Sequence, residues 1–327
     1  MASLGQIIIE MKKNLFFCAI VAFVCAASCG SPEPAFEETV EIGPYTVSRI
    51  EENVWHIEDY NSSHPRGLVV KEDGSYSFNG TSDMYIVRGK KKAILIDLSN
   101  RIRWADDADE ALRTIFYERA GKREKLITVT HNHGDHTGMY YAFKDEPDIS
   151  FLLPVNDFQN DTVFKQKSLI GDRECIDLGG ETIQCVQCEG HTPGSMVFFL
   201  KGHNYAFSGD AIGSGTGVWI FSVNGFEQYR KGIENLLSYL LDPASGIDPE
   251  TFLFWGGHTY QNQGINLGVQ TVKDAKVLND QIAEGTAEWE PYQTSMRNLD
   301  ATFKYGEALL VWNKAQSEAY AASLKNM

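Results

Sequence analysis

Positive charge is scarce in this chain. Only 29 Lys and Arg stand against 44 Asp and Glu in 327 residues, a formal net charge of -15. That deficit argues against nucleic acid as a partner, because a phosphate-binding surface needs clustered Lys and Arg. It leaves room for a small anionic substrate, since a bound metal outweighs the mean surface charge locally. Bilayer-length apolar runs are missing as well. The stretch Leu15 to Val24 falls short of the roughly 20 apolar residues that a spanning helix needs. Cysteine is sparse, and three of the six (Cys18, Cys25, Cys29) fall in the first thirty residues. A disulfide framework is not needed, because a chain of this length buries roughly three quarters of its unfolded surface. No internal repeat or low-complexity tract stands out. The glycines of Gly213-Ser214-Gly215-Thr216-Gly217 do not make a phosphate loop, since no Lys follows at the required place.

The N-terminus carries an address. Met11-Lys12-Lys13 precedes the apolar run, and Ala26-Ala27-Ser28-Cys29 closes it with small residues. A basic start, about ten apolar residues and a small-residue exit make a secretory signal. Cys29 after Ala-Ala-Ser resembles a bacterial lipoprotein cleavage box, which implies lipidation of Cys29. The expectation is a signal over residues 1–29, a polar, proline-bearing tether over 30–43, and one domain over 44–327. Export from a bacterial cytoplasm is expected, as a periplasmic or membrane-anchored lipoprotein that meets the membrane only through its anchor. Cys175, Cys185 and Cys188 remain. Gly179-Gly180 reads as a hairpin turn that sets Cys175 opposite Gln184 rather than Cys185, which disfavours a disulfide. Cys185 and Cys188 are spelled as CxxC, but on a strand positions three apart point to opposite faces. They read as small buried hydrophobes.

Strand-like runs occupy Tyr45-Ile50, Val54-Ile57, Met84-Val87, Ala93-Asp97 and Leu126-Thr130. Further strands are expected at Ile149-Leu153, Thr182-Val186, Met196-Leu200, Tyr205-Ser208 and Thr251-Trp255, with one or two closing strands in Ala301-Val311. Helical spacing appears over Ala105–Arg119, Phe226–Leu241 and Gly268–Ala283. Strands come in runs separated by helices, without strict alternation. That order predicts an α+β fold, two mixed sheets packed together with helices outside.

The chemistry concentrates in His131-Asn132-His133-Gly134-Asp135-His136, directly after the apolar strand Leu126-Thr130. Imidazoles at 131 and 133 of an extended segment share a side, and Gly134 lets the chain turn so that Asp135 and His136 return toward the same point. Imidazoles with a carboxylate suit zinc or a similar borderline metal. More candidates end other strands: His191 in Gly190-His191-Thr192-Pro193-Gly194-Ser195, Asp210 in Ser208-Gly209-Asp210, and His258 after Gly256-Gly257. His56 reads as a satisfied strand residue and His203 as part of a turn. His64, in Ser63-His64-Pro65, sits in a loop that could reach a substrate.

This order resembles the metallo-β-lactamase-fold hydrolase superfamily, in its glyoxalase II and lactonase-like branch: HxHxDH, a histidine in GHTPGS, an aspartate in SGD, then a histidine after two glycines. The resemblance implies an αβ/βα sandwich with the site along one sheet edge. It also implies one metal held by His131, His133 and His191, a second held by Asp135, His136 and His258, and Asp210 bridging both. Asp97 is expected to orient ligands from outside. Two divalent cations (zinc, with manganese or iron as alternatives) about 3.5–4 Å apart would hold a bridging hydroxide that attacks a small ester-like substrate (thioester or lactone) or a phosphodiester. Asp135 or a metal-bound water would return a proton to the leaving group, and the sequence leaves both open. Trp219 and Phe221, after the glycine-rich loop, are candidates for the substrate pocket. Departures narrow the choice. β-Lactam-opening members usually carry Cys or Ser where this chain has Asp210, and lactonases carry Tyr where it has Gly213. The alternative activity is that of the mononuclear iron persulfide dioxygenases, which use only the equivalents of His131, His191 and Asp210.

Overall fold

The computed structural model describes residues 38–63, 67–70, 76–79, 81–262, 267–294 and 299–325. The signal with Cys29, and the loop residue His64, lie outside the described residues. Two large sheets face one another. The first has eight strands, in spatial order Thr39–Ile42, Tyr45–Glu51, Val54–Glu58, Asp83–Arg88, Lys92–Ile96, Glu124–Thr128, Ile149–Pro154 and Lys167–Ile170. The second has six, in order Cys175–Asp177, Thr182–Gln187, Met196–Leu200, Tyr205–Gly209, Leu253–Gly256 and Leu267–Gly268. A small sheet joins Val218–Trp219, Ala308–Trp312, Ala301–Tyr305 and Trp289–Pro291, and Gly67–Val70 pairs with Tyr76–Asn79 as a separate hairpin. This is the α+β sandwich that the order of elements predicts.

Both faces of each central strand are apolar where both are covered. Tyr85, Val87, Ile94, Ile96 and Leu126 of the first sheet meet Ile183, Cys185, Phe198 and Phe207 of the second in one buried layer. On the outer face of the first sheet, the helix Ala108–Ala120 buries Ala111, Leu112, Ile115 and Phe116, the apolar face read from its spacing. On the outer face of the second, the helices Val223–Leu240 and Val269–Glu284 close another core. There Phe226 stacks on Trp312 with ring centroids 4.6 Å apart, and each is fully buried. Each such side chain is worth about 1.5–3 kcal/mol in surface removed from water. Cys185 enters the inter-sheet core and Cys188 the helix-side core, so the CxxC spacing does put the two thiols on opposite faces. Cys175 pairs with Gln184, as the Gly179-Gly180 turn requires, and Cys175, Cys185 and Cys188 are all free.

The first sheet begins earlier than composition suggests. Residues 30–43 read as a tether, but Thr39–Ile42 is a strand whose partner is Tyr45–Glu51, with Gly43 making the turn at φ 54°. Its polar alternation hid it, because an edge strand half in water needs few apolar residues. Short edge strands such as Lys167–Ile170 and Trp289–Pro291, and the closing helix Lys314–Lys325, are further additions to the sequence reading.

Strand direction, more than strand count, places the chemistry. Lys92–Ile96, Glu124–Thr128 and Ile149–Pro154 run parallel to one another. Tyr205–Gly209 runs parallel to Leu253–Gly256, and Thr182–Gln187 points the same way, two antiparallel steps across the sheet. The segments just past the ends of these six strands carry Asp97, His131, Asp157, His191, Asp210 and His258.

Candidate metal centre

Seven donors gather along this edge as two adjoining groups. His131, His133 and His191 form one, and Asp135, His136, Asp210 and His258 the other; within each, the ligand atoms lie within 4.8 Å of one another. His131 lies in a bend just past its strand, and His133, extended, stands at the N-cap position of the short helix Gly134–Thr137. That helix turns Asp135 and His136 back; Gly134 is its first residue, in ordinary helical conformation with open space where a Cβ would stand. Asp210 stands between the groups. Its Oδ2 lies 3.6 Å from His191 Nε2 and 3.4 Å from His258 Nε2, and its Oδ1 lies 3.5 Å from His136 Nε2. Asp135 Oδ2 lies 3.4 Å from His258 Nε2.

Outer partners fix which nitrogen faces inward. His191 Nδ1–H donates to the Trp219 carbonyl at 2.9 Å, and His258 Nδ1–H to the Thr81 carbonyl at 2.7 Å. A carbonyl only accepts, so both rings carry a proton on Nδ1 and turn Nε2 to the centre. Asp97 takes His136 Nδ1 at 2.9 Å. The same carboxylate accepts the Thr130 N–H at 2.6 Å and the Thr130 hydroxyl at 2.9 Å, and that hydroxyl meets His131 Nδ1 at 3.1 Å. Asp97 therefore orients a ring in each group. It sits in the left-handed region at φ 66°, which Asp tolerates better than most residues.

The donors fit a metal on their own chemistry. Nε2 of His131, His136 and His191 and Oδ1 of Asp210 are buried with no hydrogen-bond partner. An unsatisfied buried polar atom costs about 1–3 kcal/mol. Four of them in two adjoining donor groups make sense where cations collect their lone pairs. Close backbone approach serves the same end. A Cβ on Gly257 would lie 2.5 Å from Asp210 Oδ1 and 2.6 Å from His136 Cε1, and one on Gly209 would lie 2.2 Å from Thr130 Oγ1.

The two groups differ electrically. Burial, then neighbouring imidazoles, pushes His131 well down. Burial, then His191, takes His133 to about 4, and burial lowers His191 too. In the mixed group burial works the same way but loses. Asp97, Asp210 and Asp135 hold His136 up at about 9, and Asp210 with Asp135 holds His258 well above its usual value. Burial would raise Asp210, yet His258 and His136 keep it well below the carboxylate range.

A cavity of about 410 Å³ opens over these donors, with Trp219, Phe221, Thr216 and Gln261 in its walls. Phe221 lies 5.7 Å from the His133 ring and 5.8 Å from the His191 ring. Trp219 belongs to the strand that pairs with Ala308–Trp312, and Phe221 lines the cavity from the short link between that strand and the helix Val223–Leu240. His56 is apart from the site. Its Nε2 bonds Asp83 Oδ1 at 3.0 Å and its ring stacks on Tyr85. Asp83 also accepts the Thr259 N–H at 2.6 Å, beside His258. His203 lies in a turn between Glu51 and Glu181.

Several supporting groups escaped the sequence reading. Asp59 accepts from Ser82 N–H, Ser99 hydroxyl and Asn100 amide, and the Ser82 hydroxyl donates to the Asp135 carbonyl at 2.5 Å. Asp157 joins two ligand loops. Its only sequence signal is that it too is a carboxylate just past a strand end.

A family model described as the Metallo-beta-lactamase superfamily matches residues 78–258. An atrochrysone carboxyl ACP thioesterase of Aspergillus terreus is 29% identical over 182 residues, 51% of this chain and 52% of that protein. One from Claviceps purpurea is 26% identical over 173 residues, 50% of this chain and 51% of that protein. The chain thus spans about half the length of the curated relatives it matches. A metallo-beta-lactamase structure from Pontibacter korlensis superposes with a TM-score of 0.51 at 16% identity, covering 72% of this chain and 99% of that one, a likeness of fold.

Proposed function

The chain belongs to the Metallo-beta-lactamase superfamily, and from that premise we propose that it is a metal-dependent hydrolase of thioesters with a dinuclear centre. His131, His133 and His191 would hold one divalent cation, Asp135, His136 and His258 the other, with Asp210 shared. The observation that carries the reading is the four buried, unpartnered donor atoms divided between the two adjoining donor groups. The complete HxHxDH motif with Asp210 supports the glyoxalase II and lactonase-like branch. The names of the relatives in Aspergillus terreus and Claviceps purpurea support a thioester among the ester-like substrates.

When bound, the cations supply Lewis-acid polarisation of an acyl oxygen and a water acidic enough to be hydroxide near neutral pH. The protein's own part is placement. Trp219 and Phe221 give the acyl group an apolar wall beside the three histidines and keep bulk water from that side. Asp135 is the more open carboxylate, its side chain 37% exposed against 17% for Asp210. It is therefore the group that can move a proton between attacking water and departing sulfur. A thiol of pKa about 8.5 leaves readily as thiolate, so this assistance is modest for a thioester and larger for an oxygen ester.

Elemental analysis of protein purified without added metal, followed by a screen of aryl and alkyl thioesters, tests the reading. Two zinc or manganese per chain and thioester turnover are expected. One iron per chain with oxygen consumption on a persulfide would replace it with the dioxygenase reading. We also carry forward export and lipidation at Cys29 as a proposal, supported by the basic, apolar and small-residue order of residues 11–29. Mass analysis of the mature N-terminus checks it.

A further inference from the structure

We propose that Asp157 is the positioning residue of the three-histidine half-site, setting its affinity for a divalent cation without touching the cation. The proposal rests on the reading that His131, His133 and His191 take a metal. Three donors converge on this carboxylate. Oδ2 accepts the Asn132 N–H at 3.1 Å and the Thr192 hydroxyl at 2.7 Å, and Oδ1 accepts the Gly194 N–H at 2.8 Å. Asn132 stands between His131 and His133, and Thr192 is the residue after His191.

The arrangement answers a problem of construction. His131 and His133 lie past a strand of the first sheet, whereas His191 lies past a strand of the second. One backbone bond, Met196 N–H to the Thr130 carbonyl at 2.9 Å, ties the strand ends together, and Asp157 adds side-chain bonds to both ligand loops beyond it. Nε2 of His131 and of His191 has no hydrogen-bond partner to hold it toward the other. Asp157 lies past Ile149–Pro154, the parallel neighbour of the His131 strand, on the short helix Val155–Phe158 that is pinned by fully buried Phe158. A carboxylate rooted in the first sheet thus carries the ligand loop of the second. The approach depends on Gly194, where a Cβ would lie 2.5 Å from the Asp157 carboxyl carbon. The Thr192 N–H and hydroxyl both meet Ser195 Oγ, at 3.1 and 2.9 Å, which stiffens the carried loop. Metal–imidazole bonds tolerate only about 0.2 Å of misplacement, so a clamp between the two loops acts directly on affinity. Asparagine at 157 keeps the volume but turns one acceptor into a donor, which then faces the Asn132 or the Gly194 N–H with the wrong polarity.

Zinc is the probe, titrated against a competing chelator with the full chain. Two backgrounds separate the half-sites. Asp135→Ala with His258→Ala leaves the three histidines, and His133→Ala with His191→Ala leaves the mixed group. Asp157→Asn is expected to weaken zinc about 10–100-fold in the first background and less than about twofold in the second. Equal weakening in both, or none in the first, overturns the proposal. If Asp157→Asn fails to fold, Thr192→Val removes one clamp bond and is expected to give the same selectivity on a smaller scale; equal weakening in the two backgrounds overturns the proposal here as well. Absence of zinc binding before Asp157 is changed overturns the metal reading, and the proposal with it, which is a different result from a clamp that has no effect.

Discussion

On one side of the cavity three imidazoles face one another with little to favour charge, and burial favours the neutral form of all three. On the other side His136 and His258 stand among Asp97, Asp135 and Asp210, and there the carboxylates overcome burial. The two half-sites share Asp210 and are outwardly alike, yet they are prepared for a cation in opposite ways. The first presents lone pairs at once. The second holds protons that an arriving cation must displace, and until then its charges satisfy one another. Their outer supports differ as well: Asp157 spans the loops of the first, the Asp59–Ser82 chain underlies the second, and Asp97 serves both. On the dinuclear reading proposed above, metal affinity would be a property of two differently balanced environments rather than of a ligand count.

The strongest way to break the comparison is at the shared residue. Asp210→Ala is expected to lose one metal equivalent and to lower thioester turnover by about a hundredfold or more, since both half-sites surrender a ligand. Metal analysis beside steady-state kinetics checks it, and full occupancy would disprove the bridging role. Asp97→Asn comes next. It should weaken metal about 10–100-fold, and in both half-sites, because Asp97 orients His136 directly and His131 through Thr130. A loss confined to one half-site would show that the Thr130 relay is idle.

A pH series sharpens the electrical difference. His136, held at about 9, is protonated at pH 7, so zinc affinity of the isolated mixed half-site should rise with pH from 6 to 9. His133, at about 4, is already neutral there, and affinity of the three-histidine half-site should stay nearly flat. Calorimetric titration in buffers of different ionisation enthalpy reads both. The smallest effect is expected at the cavity wall. Phe221→Ala removes the ring edge beside His133 and His191. It should raise KM for aryl thioesters several-fold, with kcat and metal content nearly unchanged, by roughly 1 kcal/mol of lost apolar contact.

Much of the fold is legible in the chain itself because its signals are local. Alternating and continuous apolar runs mark the central strands, and one-faced spacing marks Ala108–Ala120, Val223–Leu240 and Val269–Glu284. The pieces that escaped lack such a pattern or rest at an edge. Thr39–Ile42 is half-wet, and Lys167–Ile170 has two exposed residues of four. Lys314–Lys325 is rich in good helix formers, but it buries only Ser317, Tyr320 and Ala321, a narrow stripe.

The sequence alone determined the donor set. Histidines and aspartates at strand ends, with glycines beside them, are written in contiguous motifs, and their chemistry does not depend on what lies elsewhere. Tertiary structure alone decided how that set is divided and tuned. Co-directional strands of two sheets bring Asp97, His131, Asp157, His191, Asp210 and His258 to one edge. There burial, the Trp219 and Thr81 carbonyls and the outer carboxylates choose each ring's tautomer and charge. Such effects sum over neighbours far apart in the chain, and no local periodicity records them.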